Sequence, residues 1–480
     1  MKRDIEAFDV YLTGLFEKRG YPGMAVTIRG PEGILFQKGY GFRDIKNSLP
    51  ADENTVFGVA SMSKSMTALA CAILHTEGSL DLEDPVVKYF PDFHIPGIPD
   101  ECVTLRTLAM HRAGIPPMEP MEWSIAMNSV EKESYWYRHM RETAPNKMDE
   151  IGQIVDYISQ GNYEPLGMPG EYMSYCNEGY AILSYVVDQA AQMPLERFLE
   201  KRIFRPLGMT RTVQDLDGSE AIKLAKGNIS SIFVREEDGG FWQDENWSVL
   251  PPYRGCACVK STSADMSKYY KTLCDGGVWE GQQVIPKEAV ELLIGRGYPA
   301  STEPYYCLGL EKKLINGRVV CDHSGALRGV SSCGALIEGG YSVAVLCNEG
   351  EQNMDEFKWA CYNYVLGLPY ETQHYWAWPS GGVFSMPEIL CGDYLSREGL
   401  PQHCIVELAD GKLTGSFNGE PVDFLYCQKT VFAAVSREDH KKRISTVEFY
   451  IRDGKTWAAR CGTRIFQRTG KTCNKQNLMA

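Results

Sequence analysis

The stretch TVFGVASMSKSMTALACAILHT, residues 55–76, decides how this chain is read, because its one formal charge sits at Lys64. On a helical wheel Met62, Met66, Leu69, Ala70 and Ile73 form an apolar stripe. Ser61, Lys64, Ser65, Ala68 and Ala72 fall on the opposite face, which is small rather than charged. A helix without a charged face is buried all round. Ser61 precedes Lys64 by three positions, so the amine can reach the hydroxyl across one helical turn. Ser61 also falls near the predicted N-terminus of the helix, where free backbone N–H groups and the helix dipole favour developing negative charge. Desolvation disfavours an ammonium ion and suits Lys64 to take a proton from Ser61, which is the logic of an activated nucleophile. The S-x-x-K string alone is weak. A second copy, Ser129 to Lys132, lies in the charged segment MNSVEKESYWYRHMRE and reads as solvated surface.

Working outward, 480 residues exceed one ordinary core and imply two or three domains. Hydrophobic and charged contents of 44% and 23% are those of globular chains. A net charge of −13 argues against nucleic acid as a partner. The opening MKRDIEAFDVYLTGLFEKRG lacks the apolar region of a signal peptide and reads as a helix with Ile5, Phe8, Leu12 and Phe16 on one side. No run reaches the roughly 18 apolar residues of a membrane span. With no export signal, the 16 cysteines read as reduced thiols in a cytoplasm rather than as disulfides. No C-x-x-C or H-x-x-x-H spacing occurs, so neither a metal nor another cofactor is expected.

Strand-like runs MAVTIRG and GILFQKGYG follow the first helix, and strand patterns return from about Gly309. Strands at both ends with helices between imply one sheet assembled from distant parts of the chain, with an inserted helical subdomain. The segment DEFKWACYNYVLGL would cover a sheet face. Residues 371–385, rich in Pro, Gly and aromatics, read as a linker. Beyond it, alternating segments with Asp410-Gly411 and Asp453-Gly454 at hairpin positions imply a small antiparallel β-barrel over 386–470. The tail 471–480 reads as disordered.

Two further motifs follow in order: Tyr175-Cys176-Asn177, and His323-Ser324-Gly325 at the end of a predicted strand. With Ser61 and Lys64, they resemble the serine β-lactamase and penicillin-binding protein superfamily, on the side of class C β-lactamases, D-aminopeptidases, D-alanyl-D-alanine carboxypeptidases and related esterases. LRTLAMHRAGIPP, FLEKRIFRPLGMTRT and STSADMSKYY resemble its secondary signatures, and the likeness runs over about residues 5–370. The resemblance implies an α/β fold of an antiparallel sheet flanked by helices, followed here by a lipocalin-like barrel. The hydrolase domain would span 1–370.

The resemblance makes Ser61 the acylated nucleophile, Lys64 its helper in deprotonation, and Tyr175 a general base and acid whose phenol is acidified by nearby positive charge. Asn177 would hydrogen-bond the substrate amide and Lys64. Backbone N–H groups of Ser61 and Ala326 would form an oxyanion hole. His323 takes the place of a lysine on the strand lining the site, which weakens the case for β-lactam turnover because histidine offers a substrate carboxylate less charge at neutral pH. The competing readings are a core aromatic for Tyr175, a loop or cap for Asn177, and strand support for His323. Arg328 is either a surface residue or a binder of a substrate carboxylate. The segments 118–167 and 231–255 are expected to rim the pocket.

The implied activity is serine hydrolysis through an acyl-enzyme, on small amides or short peptides, with D-amino-acid peptides favoured by the resemblance. An esterase, an acyl transferase or a β-lactamase of the same fold is the alternative, and a catalytically silent binding or regulatory protein is the non-enzymatic one. The barrel would shape or cover the active-site mouth of its own or a neighbouring subunit. Oligomeric state stays open, a homo-oligomer included.

Overall fold

Eight antiparallel strands form the central sheet, and they come from the two ends of the helix-and-sheet body. In spatial order they are Tyr305–Tyr306, Glu311–Ile315, Arg318–Leu327, Val330–Ile337, Tyr341–Cys347, Gly23–Gly30, Gly33–Asp44 and Leu49–Pro50. The closure pairs Val26 with Val345, joining the N-terminal hairpin to the late strands. The computed structural model describes residues 4–129, 135–236, 239–350, 353–440 and 442–470; Lys132 and the tail 471–480 lie outside them.

Strand periodicity sends alternate residues to opposite layers. Met24, Val26 and Ile28 pack with the helices Ile5–Arg19 and Asp355–Leu366, whereas Ala25 faces the core that holds the helix Ser63–Thr76. DEFKWACYNYVLGL therefore covers a sheet face, as its pattern implies. In the first helix Phe8, Leu12 and Leu15 are buried while Ile5 is 54% exposed. The seam is centred on Leu15 rather than on Ile5 and Phe16, because 3.6 residues per turn carry Leu15 back beneath Phe8 and Leu12.

The helix Ser63–Thr76 is buried all round: every side chain from Ser63 to Leu74 lies in the interior. The inserted helices behind it include Asn177–Ala191 and Ser263–Cys274. Ser129 is buried, its hydroxyl accepting from Val249 N at 2.9 Å. This corrects the solvated reading of its segment: the surrounding charges mask a residue that anchors a loop 120 positions away.

The C-terminal part closes into an eight-stranded antiparallel barrel from Gly392–Ser396 to Arg464–Arg468, sealed by the pair Tyr394–Arg468. Asp410 and Gly411 (φ 51° and 74°) and Asp453 and Gly454 (φ 53° and 72°) adopt the left-handed turn that suits tightly twisted hairpins. Tyr394, Phe424, Phe432, Phe449 and Phe466 form its core. One end of the barrel docks on the body. Tyr175 N donates to Thr463 O at 2.8 Å, Ile465 N donates to Ser174 Oγ at 3.1 Å, and Leu166 packs on Ala458 and Ile465. Two clefts of about 960 and 890 Å³ flank this junction. The described cysteines are free thiols, and no described helix is long and apolar enough to cross a membrane.

Candidate active site

The turn before the buried helix is locally strained. Ala60 has φ 45°, a left-handed conformation that costs a non-glycine residue about 1–3 kcal/mol and persists only where surroundings enforce it. Ser63 Oγ donates to Ala60 O at 2.7 Å and accepts from Val259 N at 3.1 Å, while Ser332 Oγ donates to Val59 O at 2.8 Å. Trp247, Ile232 and Val330 pack against Ala60 from beneath. Ser61, next in the chain, lies in the 3-10 turn Ala60–Met62 and is partly exposed.

Lys64 is completely buried, and its Nζ donates to Ser61 Oγ at 3.0 Å and to Cys256 O at 3.4 Å. The same nitrogen sits 4.9 Å from the centre of the Tyr175 ring. Among the described residues no carboxylate pairs with it. A buried amine is costly without such a partner, which makes the serine hydroxyl and the aromatic rings its principal company.

Tyr175 immediately precedes the helix Asn177–Ala191. Its ring packs at 4.1 Å on His111, and its buried hydroxyl has no hydrogen-bond partner among the described residues. Asn177 opens the helix. Its Nδ2 donates to Glu398 Oε1 at 3.0 Å, and its buried Oδ1 has no partner among the described residues. The expected hydrogen bond from Lys64 to Asn177 Oδ1 is not made among the described residues, and the other end of the amide is held by Glu398. Unmet buried polar atoms each cost about 1–3 kcal/mol, and Tyr175 and Asn177, two positions apart, each carry one.

The strand Arg318–Leu327 runs past the nucleophile turn. A Cβ on Gly325 would lie 2.4 Å from Val59 O and 3.0 Å from Ser61 N, so only glycine fits. Ser324 and Ala326 alternate to the exposed side. His323 points inward, its Nε2 paired with the Tyr306 hydroxyl at 3.0 Å and its ring 6.0 Å from that of Tyr175. Burial, and then the nearby Lys64 charge, push the His323 imidazole down to about 3, so it is neutral at physiological pH. Arg328 is committed elsewhere: it forms an ion pair with Asp244 at 2.7 Å, stacks over Trp242, and is only 10% exposed. That removes the carboxylate-binding reading of Arg328 and gives segment 231–255 a bracing role at this point.

Three contributors escape sequence reasoning. His111 accepts from Cys176 N at 3.0 Å, and burial, followed by the Lys64 charge, drives its imidazole well below the usual range. Its only signal was its place in LRTLAMHRAGIPP. Glu398 comes from the barrel loop after Gly392–Ser396, and Arg464 opens the barrel strand Arg464–Arg468. Arg464 Nε and Nη2 donate to Glu398 at 2.6 and 2.8 Å, and the guanidinium lies 4.3 Å from the Tyr175 ring centre. No motif marks either residue.

The family model described as Beta-lactamase matches residues 8–363. The chain belongs to the Beta-lactamase family. Its family region takes in the nucleophile turn, the Tyr175 segment and the His323 strand, and stops short of the barrel. Penicillin-binding protein 4* of Bacillus subtilis (strain 168) is 30% identical over 198 residues, 41% of this chain and 39% of that protein. The chain thus spans well under two thirds of the length of this curated relative. The octameric penicillin-binding protein homologue from Pyrococcus abyssi is similar in structure over 96% of this chain and 99% of its own, at 21% identity and a TM-score of 0.65. A D-amino acid amidase from Ochrobactrum anthropi SV3, complexed with D-phenylalanine, is similar over 72% of this chain and 92% of its own, at 21% identity and a TM-score of 0.57. Likeness at that identity shows a shared fold.

Proposed function

We propose that this protein is a serine hydrolase that acylates Ser61 and passes the acyl group to water, acting on small amides or short peptides. The observation that carries the reading is the buried Lys64 amine, 3.0 Å from Ser61 Oγ and over the ring of Tyr175, whose buried hydroxyl has no hydrogen-bond partner among the described residues. Ser61 Oγ attacks the substrate carbonyl carbon while Lys64 and Tyr175 together take its proton, and the C=O electron pair moves onto oxygen. N–H groups of Ser61 and Ala326 stabilise that oxyanion. The intermediate collapses as Tyr175 returns the proton to the leaving nitrogen, and water repeats the cycle to free Ser61. Asn177 Oδ1 is available to accept from the substrate amide N–H.

D-aminoacyl amides and peptides lead the substrate classes, supported by the family resemblance and by the amidase among the structural neighbours. A neutral His323 and a committed Arg328 leave little to hold a β-lactam carboxylate, which ranks β-lactamase activity below amidase or esterase activity. The test is a screen with D-aminoacyl amides, nitrophenyl esters and nitrocefin, alongside fluorophosphonate labelling of wild type and Ser61→Ala. Labelling is expected on wild type alone; labelling that persists on Ser61→Ala overturns the assignment. The contact of Glu398 on Asn177 favours one rival, a silent binding protein whose substrate site is filled by its own barrel. Intact-mass spectra showing no acyl adduct, together with no turnover of any ester or amide of the panel, would favour that rival.

A further inference from the structure

We propose that Arg464 of the barrel is a positioning residue for the Tyr175 chemistry, its guanidinium stabilising the phenolate form of Tyr175 that accepts the proton of Ser61. This inference rests on the serine-hydrolase reading above.

The groups facing Tyr175 can be taken element by element. The buried helix contributes Lys64, 4.9 Å from the ring centre. The loop after Leu105–Ala109 contributes His111, and the strand Arg318–Leu327 contributes His323; burial keeps both imidazoles neutral. Tyr180 and Tyr306 are phenols that burial holds un-ionised, pushed well above their ordinary range. From the barrel comes Arg464, at 4.3 Å, with Glu398 behind it. Glu122, on the helix Pro120–Asn128, adds a more distant negative charge that acts on Arg464. The strand that lines the site thus supplies no cation, because His323 is uncharged. The cation on the barrel side of the ring is Arg464.

The guanidinium is held for this position. Glu398 receives two of its hydrogen bonds and Thr463 Oγ1 a third, at 2.9 Å. The backbone contact of Tyr175 N with Thr463 O, the residue before Arg464, fixes the two side chains in register. Glu398 also takes the hydrogen bond of Asn177 Nδ2, so one carboxylate ties the arginine to the segment that carries the tyrosine. An opposite charge about 4–6 Å from an ionising group favours its charged form by one to three pH units. Glu398, which holds the guanidinium, cancels part of that field. The barrel would therefore complete the acid–base machinery of the body rather than merely cover it.

The experiment compares wild type, Arg464→Met and Arg464→Lys in the full chain, measuring kcat/KM from pH 5 to 10 on whichever panel substrate the wild type turns over. Arg464→Met is expected to move the acid-side limb upward by about one pH unit, an approximately tenfold loss at neutral pH that is regained in alkali. Arg464→Lys, which keeps the charge, is expected to hold the limb near its wild-type position. If Arg464→Met keeps the wild-type limb, or loses activity by the same factor at every pH while remaining folded, the arginine only fastens the barrel and the inference fails. If Arg464→Met does not fold, Arg464→Lys decides: a wild-type limb supports the inference, and a displaced one overturns it. A wild type without turnover or Ser61 labelling instead defeats the hydrolase reading itself, so the two failures are distinguishable.

Discussion

Lys64 and Ser61 form a pair whose worth lies in what is absent around it. Among the described residues no carboxylate neutralises the amine, which has the serine oxygen, one backbone carbonyl and two aromatic rings for company. Lys64→Met keeps the length and apolar stem while removing the nitrogen, so the fold should survive. The rate of fluorophosphonate labelling at Ser61 should fall by roughly a hundredfold or more, as for loss of a proton-transfer group. Gly325 is the second pressure point. Gly325→Ala drives a Cβ onto Val59 O, a backbone atom that cannot yield as a side chain would. Urea unfolding should show a loss of about 1–3 kcal/mol together with slower acylation, because the same displacement shifts the Ser61 N–H.

Buried histidines give the residue scale a pH signature. His323 is pushed down to about 3 and His374 to about 4 by burial first and lysine charge second, and His111 lies well below its usual range. Their unfolded counterparts titrate near 6.5. Above that pH neither state binds these protons and the stability is fully present. As pH falls below it the unfolded chain takes up protons that the folded one refuses, so stability drops until the folded values are reached. The buried His111 and His323 each contribute a slope of about 1.4 kcal/mol per pH unit within their windows, and the half-buried, more solvent-screened His374 contributes less. Urea midpoints measured between pH 7 and 4 should fall steadily, and His374→Gln, remote from the nucleophile, should make that fall shallower.

At the scale of elements, the nucleophile helix is a core helix first. Leu69 is fully buried, and Leu69→Ala should cost about 2–5 kcal/mol in chemical denaturation. Much of this scale was legible in the chain. The charge-free run 55–76 implied burial on every side, and the interior positions from Ser63 to Leu74 agree. The Asp-Gly pairs implied tight hairpins, and their positive φ values supply the reason. The first helix was placed well but rotated, since Leu15 and Phe16 cannot be ranked by hydrophobicity. Ser129 was misjudged because charge in a segment describes its average, whereas burial is decided atom by atom through contacts such as that with Val249.

Over the whole molecule, the barrel and the body share the region around Tyr175. A chain ended after Leu368 would lose the Thr463 and Ile465 backbone contacts and uncover Leu166 and Tyr172. Such a chain is expected to bind an apolar dye more strongly and to lose most of its kcat/KM; unchanged kinetics would show that the barrel is a passive appendage.

Ser61 and Lys64 were legible because helical spacing puts them one turn apart, and the resemblance pointed to Tyr175, Asn177 and His323. The structure brings Lys64 to Ser61 and to the Tyr175 ring, and the His323 ring to within 6.0 Å of it, while their catalytic roles rest on the proposal. The same local rules yielded the buried helix, the sheet built from both chain ends and the barrel hairpins. Only the tertiary structure could join Asn177 to Glu398 across 221 positions, lay Arg464 on the Tyr175 ring, commit Arg328 to Asp244 and silence His323. Those outcomes depend on desolvation and on the meeting of distant loops. Neither quantity is carried by spacing along a chain, because burial and charge pairing are properties of the assembled neighbourhood.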